Sequence, residues 1–271
     1  MRYVTIADMT KKPRCYETLP PDYYPKRARQ HVNWPLHFIG RKLLSAHMRY
    51  EQGPLTVVVP DSVKQRAKIE RPVIVTPTHR SWLDIGIFVE ATERAGLHHV
   101  RPMSKIENIQ THPLAAWFFH QVGLFAVDRG EADFEGINTV FEALYERGQH
   151  GLIFPEGTRV KEDVERIGKI ARTPAMMALK YGFDLVPLAI VGASEGETQP
   201  SKLTVHGKHL PVATAPVAQF GDVIYVDQLP FDTTDKQLML ATGALTRSLR
   251  ESMQQTTDAA YRTRSELLLA A

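Results

Sequence analysis

The chain has 271 residues, 43% hydrophobic and 23% charged, with a net charge of +3. That make-up suits a globular protein of one large domain or two small ones, and it excludes collagen-like, coiled-coil, disordered and disulfide-scaffold chains. Cys15 is the single cysteine, so no internal disulfide or cysteine-based zinc site is expected, and a reducing, cytoplasmic compartment is the expected setting.

Charge is unevenly spread. Residues 11–50 hold nine Lys/Arg against two acidic residues, a basic arm on a mildly acidic body, which points to an anionic membrane or polynucleotide surface. Residues 1–22 are polar, with Pro13 and the Pro20–Pro21 pair, and read as an extended lead-in. Asp8, Lys11, Lys12, Arg14 and Glu17 leave no room for the apolar core of a signal peptide. From Tyr23 to Arg49 the pattern is helical and amphipathic, with Trp34, Phe38, Leu43 and Leu44 on one side and Lys26, Arg27, Arg29, Arg41, Lys42 and Arg49 on the other. Pro35 and Gly40 predict two short helices in place of one long one. Two readings of this arm stand side by side. It lies in a bilayer interface with its cations on anionic headgroups, or it packs on the protein's own core.

After Gly53–Pro54, β-branched apolar runs predict strands at 55–59, 72–76, 100–103, 124–127, 152–154, 185–191 and 223–226. Helical patterns fall between most of them, at 82–95, 112–122, 134–147 and 174–181, and a last helix runs over 234–261. The alternation predicts an α/β fold: a central, mostly parallel or mixed sheet flanked by helices, with an N-terminal amphipathic helical arm. The expected division is an arm over 1–53 and an α/β domain over 54–271. The longest stretch free of Asp, Glu, Lys and Arg, Asn108–Val127, carries Asn108, Gln110, His112, His120 and Gln121. It would be a poor membrane helix, so no transmembrane span is expected and membrane contact should be peripheral.

Three stretches suggest chemistry. In Thr76-Pro-Thr-His-Arg-Ser-Trp-Leu-Asp84 a strand runs into a helix, with Ser81 as the expected N-cap. Asp84 would there accept from one ring nitrogen of His79, fixing the tautomer and leaving the other nitrogen as a base. Read alone, His-x4-Asp is also the pattern of a capped turn. In Gly151-Leu-Ile-Phe-Pro-Glu-Gly-Thr-Arg159 a strand ends on Glu156, Gly157, Thr158 and Arg159, and sites gather at the carboxyl ends of strands in α/β sheets. The Gly157 N–H is a candidate anion donor and the Arg159 fork suits phosphate. The third stretch, Gly123-Leu-Phe-Ala-Val-Asp-Arg129, also ends a strand on an arginine.

Other constellations carry less. Gly192-Ala-Ser-Glu-Gly196 matches a nucleophile elbow. His206 and His209 are the only later histidines, however, and the acids between, Glu195 and Glu197, adjoin the elbow itself. No His-Glu-x-x-His pattern exists and no metal is expected. Trp117, Phe118 and Phe119 read as helix core, with the wall of an acyl-chain tunnel as the alternative.

His79-x4-Asp84, Gly123…Arg129, Phe154-Pro-Glu-Gly-Thr-Arg159 and Val186-Pro-Leu-Ala-Ile190 resemble, in order and spacing, the four motifs of the glycerolipid acyltransferases of the 1-acyl-sn-glycerol-3-phosphate type. The resemblance covers about Pro72 to Gly192. It implies His79 as general base and Asp84 as its orienting partner, with Arg129, Glu156, Gly157, Thr158 and Arg159 on the glycerol phosphate, and Lys105 at a strand end where the family often carries a lysine. Two departures stand out. Thr78 replaces the Asn that often precedes the histidine, and Ala171-Arg-Thr-Pro174 replaces a Phe-Lys-x-Gly run.

The implied reaction moves an acyl group from a thioester to a hydroxyl of 1-acylglycerol 3-phosphate, giving phosphatidic acid. The thioester, acyl-CoA or acyl carrier protein, is a co-substrate, and no cofactor is needed. The implied partners are acyl-CoA, lysophosphatidic acid and an anionic membrane surface, with no nucleic acid and no metal, at the cytoplasmic face of the cell membrane. The alternatives are another glycerol phosphate or lysophospholipid acceptor, a serine hydrolase built on Ser194, and a non-catalytic lipid-binding module.

Overall fold

The computed structural model describes residue 19 and residues 22–69, 71–81, 83–106, 113–127, 134–160, 163–193, 202–205, 208–211, 215–230 and 232–270. Helices α1 (Tyr23–Arg29) and α2 (Trp34–Gln52) lead into β1 (Thr56–Val58), α3 (Asp61–Arg66), β2 (Val73–Pro77) and α4 (Asp84–Arg94). Next come β3 (Val100–Lys105), α5 (Pro113–Gln121), β4 (Phe125–Val127), α6 (Phe134–Glu146) and β5 (His150–Leu152). The chain continues through α7 (Thr173–Tyr181), β6 (Asp184–Val191), β7 (Lys202–Val205), β8 (Lys208–Pro211), β9 (Val217–Phe220) and α8 (Asp235–Ala270). Seven strands form a mixed sheet in the order β1-β9-β6-β2-β5-β3-β4, and β7 and β8 pair separately as an antiparallel hairpin. Every pairing in the large sheet is parallel except β6 with β9.

The central strands are continuous apolar runs because helices cover both faces. All five residues of β2 and all eight of β6 are buried. On β2, Ile74 joins one core cluster with Phe125, Phe141, Phe183 and Leu249, while Val73 and Val75 join another with Val63, Ile87 and Phe88. Under the sheet end, the buried Arg66 guanidinium meets the equally buried Asp184 carboxylate at 2.6 Å. Among the described residues, no helix is long and apolar enough to cross a membrane.

Several expectations are corrected. The 223–226 run makes only a single bridge, Ile224 to Leu185, because Val226 gives its N–H to the Asp184 side chain instead of to a strand. The antiparallel neighbour of β6 is β9, which the short apolar run among prolines and alanines had hidden. α3 and the β7–β8 hairpin were not expected either. The helix after His79 starts at Asp84 with no side-chain cap at Leu83, and Ser81 instead accepts the Leu83 N–H in a local turn.

The arm does form two helices, but the second has 19 residues. Asn33 accepts the Leu36 N–H, and Pro35 falls in the first turn, where no N–H is needed. Gly40 does not break the helix. A Cβ there would lie 2.9 Å from the Phe118 ring, so glycine lets α2 and α5 approach closely. Tyr23 and Tyr24 of α1 are buried in the core, and the Tyr23 hydroxyl accepts the Ala126 N–H and meets His120 Nε2 at 3.0 Å.

His150 accepts the Val73 N–H on Nδ1 at 3.1 Å. Burial, helped by His99, Arg66 and His98, lowers its pKa to about 4. Because that folded value is below the ordinary 6.5, the neutral ring adds stability that is complete above pH 6.5 and is lost as pH falls toward 4. His120, also lowered to about 4, chiefly by burial, acts in the same direction. Urea unfolding at pH 7 and pH 5 is expected to show a loss of about 2 kcal/mol from His150 alone. In His150→Gln, whose amide oxygen can still accept from Val73, the loss between the two pH values should shrink by that amount.

Candidate active site

The parallel neighbours β2, β5 and β3 deliver three segments to one edge of the sheet. His79 follows β2, Phe154–Arg159 follow β5, and Lys105 ends β3, so the site lies where α/β sheets ordinarily carry one. His79, Lys105, Gly157, Thr158 and Arg159 line a single cavity of about 180 Å³, walled by Ile85, Phe88, Met103, Leu124 and Phe154.

His79 is held on every side. Its Nδ1 lies 3.0 Å from Asp84 Oδ2, and its ring lies 4.4 Å from that of Phe154, centroid to centroid. The same Asp84 oxygen accepts the backbone N–H groups of Arg80 at 2.6 Å and Ser81 at 2.8 Å. Asp84 is fully buried. Burial raises its pKa, against the opposing effect of the His79 and backbone hydrogen bonds. A carboxylate short of solvent holds the imidazole N–H firmly, which fixes the ring with Nε2 on the side away from Asp84.

The main chain of His79 is clamped as well. Its N–H donates to Glu156 Oε2 at 3.0 Å and its carbonyl accepts from Val160 at 2.8 Å. Just before it, the Thr78 hydroxyl accepts the Ile190 N–H at 2.9 Å, so the residue that departs from the family pattern pins this loop to β6.

Glu156 and Gly157 both make contacts within the protein. The buried Glu156 carboxylate is paired with Arg80, and it is absent from the cavity lining. The Gly157 N–H donates to the Phe154 carbonyl at 3.1 Å, closing a turn whose φ of 74° only glycine adopts freely. The cavity therefore meets Gly157 as open backbone.

Arg80 is the participant that sequence reasoning missed. Besides Glu156 it bonds the Val164 carbonyl at 2.9 Å and is almost wholly buried. Its only sequence signal is its place beside His79, since its partner is 76 residues away. Arg129, Ser194 and His206 lie outside the described residues, and so do Cys15 and His112. Among the described residues, no group of three or more His, Cys, Asp or Glu is placed to hold a metal ion.

A second cavity, apolar and of about 390 Å³, adjoins the first. The two share Ile85, Phe88, Pro102 and Leu124. Leu43 and Leu44 of α2 and Phe118 and Phe119 of α5 close its far side, while Trp117 is exposed and faces elsewhere.

Removing one partner of a buried ion pair strands the other charge, at a cost of about 3–5 kcal/mol. Arg80→Met should therefore destabilise the protein by that amount in urea unfolding. The double variant Arg80→Met/Glu156→Gln, with no charge left and an oxygen still available to the His79 N–H, should recover most of it.

Comparison with known proteins gives the family. Residues 55–191 match the family model described as Acyltransferase. The lyso-ornithine lipid O-acyltransferase of Pseudomonas aeruginosa is 29% identical over 145 residues, 52% of this chain and 52% of that protein, so the match spans about half the length of that curated relative. The crystal structure of the 1-acyl-sn-glycerophosphate (LPA) acyltransferase PlsC from Thermotoga maritima is similar at a TM-score of 0.49 and 15% identity, over 84% of this chain and 86% of that one. The family match covers half of the chain and includes both the His79–Asp84 pair and the Phe154–Arg159 turn: the chain belongs to the acyltransferase family.

Proposed function

We propose that the protein acylates a lysophospholipid, taking the acyl group from a thioester and placing it on the free hydroxyl of 1-acylglycerol 3-phosphate. One observation carries this reading: the oriented His79 ring shares a cavity with Lys105 and Arg159, and that cavity adjoins an apolar one. The cations suit a phosphate and the apolar space suits an acyl chain.

In this mechanism His79 Nε2 removes the hydroxyl proton as the oxygen attacks the thioester carbonyl. The tetrahedral adduct then collapses, the C–S bond breaks, and the thiolate takes the proton back from the imidazolium. Asp84 accepts the Nδ1–H throughout and stabilises the cation. Glu156 and Arg80 act as positioning residues by fixing the His79 main chain. Lys105 and Arg159 hold the phosphate so that the hydroxyl meets the base, and Thr158 lines the same cavity.

The same reading makes the enzyme peripheral, at the cytoplasmic face of a membrane. Support comes from the arm, where Phe38, Ile39 and Leu43 are exposed and the Lys42 ammonium and Arg41 guanidinium lie over the Phe38 ring. A second acceptor, a lyso-ornithine lipid, is favoured by the name of the Pseudomonas aeruginosa relative.

Purified protein given acyl-CoA or acyl carrier protein thioester, with lysophosphatidic acid, glycerol 3-phosphate or lyso-ornithine lipid in parallel, separates these acceptors by product. His79→Ala is expected to lower turnover by at least about 10²-fold, the low end of general-base catalysis, with Asp84→Asn nearly as damaging and the fold intact. Arg159→Ala should weaken use of the phosphate-bearing acceptor about 10–100-fold, the worth of one charged hydrogen bond, and spare a neutral monoacylglycerol. Equal loss on both acceptors would make Arg159 structural and remove the basis for a phosphate acceptor.

A further inference from the structure

A cleft of about 740 Å³ lies between α1 and α5 and shares no residue with the His79 cavity. Lys26, Arg27, Arg29, His31 and His120 line it, and Asp22 is the one carboxylate among its described lining residues. Behind it sits a buried cation, Arg101, with no ion pair among the described residues. Arg101 is 1% exposed, and its guanidinium is spent on backbone carbonyls, Nε on Gly123 at 2.9 Å and Nη2 on Arg27 at 3.3 Å, while Nη1 has no hydrogen bond among the described residues. Two other arginines act on it. Arg147 and Arg27 join burial in lowering its pKa to about 10, and Arg27, Lys26 and Arg101 join burial in holding His120 neutral. A buried cation without a counter-charge is costly, and here its field adds to that of the cleft cations in a low-dielectric setting.

One lip of this cleft is apolar. Leu114 and Trp117 stand one turn apart on α5 and are both exposed, and Trp117 itself lines the cleft. Next to α5, across the Gly40–Phe118 contact, α2 exposes Phe38, Ile39 and Leu43. A tryptophan between an apolar surface and a basic pocket is the side chain and the setting of a membrane interface. A water-soluble phosphate compound gains nothing from that apolar lip, whereas a lipid has its phosphate and its chains at adjoining depths.

We propose that the α1–α5 cleft is a binding site for the phosphate ester of an anionic phospholipid headgroup, held by Lys26, Arg27 and Arg29 while Leu114 and Trp117 enter the acyl region beside it. The site is distinct from the acceptor site, and it rests on the acyltransferase reading only for the surface the protein would meet. It deepens the docking role of the arm from a diffuse attraction to a built pocket for one lipid.

The test uses the full chain without acyl donor or acceptor, so its failure leaves the catalytic reading untouched. Co-sedimentation is measured with phosphatidylcholine vesicles, with and without phosphatidylglycerol, for the wild type, Lys26→Gln/Arg29→Gln and the charge-matched control Lys68→Gln/Lys236→Gln. Coenzyme A and inorganic phosphate serve as soluble competitors, and thermal unfolding checks that all three proteins are folded. The expected result is binding that needs phosphatidylglycerol, falls about 30-fold in Lys26→Gln/Arg29→Gln (two cations at an anionic surface) and is unchanged in the control. Equal weakening in both variants would reduce the cleft to diffuse charge and overturn the proposal. So would wild-type indifference to phosphatidylglycerol, or release of the vesicles by coenzyme A or phosphate at concentrations too low to act by screening, which would make the cleft a site for a soluble phosphate.

Discussion

The position of His79 depends on a carboxylate that its ring does not touch. Glu156, from the loop after β5, accepts the His79 N–H of the loop after β2 and pairs with Arg80. Two loops far apart in sequence are thereby locked at one point in the interior. The pair is desolvated, so it contributes little net stability. What it supplies is register: if the β5 loop moved, His79 would lose both its Glu156 and its Val160 contacts, and the ring would leave the cavity in which Lys105 and Arg159 stand.

The sheet makes that lock possible. β2, β5 and β3 are adjacent and parallel, so their carboxyl ends open on the same side, and segments separated by tens of residues converge without long loops. Burial of β2 on both faces keeps its end from shifting under load, and the Thr78 hydroxyl extends its hold on β6 one residue further. The His79–Asp84 pair is local, the frame beneath it is not, and the stiffness of the site comes from the frame.

This division explains what could be read from the chain. His79 and Asp84 were legible because five residues across a strand-to-helix turn place them together whatever the remote packing does. The Phe-Pro-Glu-Gly-Thr-Arg turn was legible as a strand end rich in polar groups. The role of Glu156 was not, since a carboxylate in a turn reads the same whether it faces a ligand or a buried arginine. Gly40 looked like a weak point because propensity is counted along one helix, while its use lies in the approach of another. β9 escaped because its four residues lack alternation, and only the open edge of β6 shows the need for it. Arg101 gave no warning, as an arginine in a strand ordinarily marks a surface.

One contact of the arm bears on how the protein behaves in a crowded solution. β4 is the last strand of the sheet, and a strand in that position offers unpaired backbone groups to any similar strand it meets. The Tyr23 hydroxyl takes up the Ala126 N–H, and α1 lies across this margin. Shortening the chain to its α/β body would strip the cover from β4 and leave a sticky border, so such a fragment would tend to associate edge to edge and precipitate even though His79, Asp84, Lys105 and Arg159 are still present.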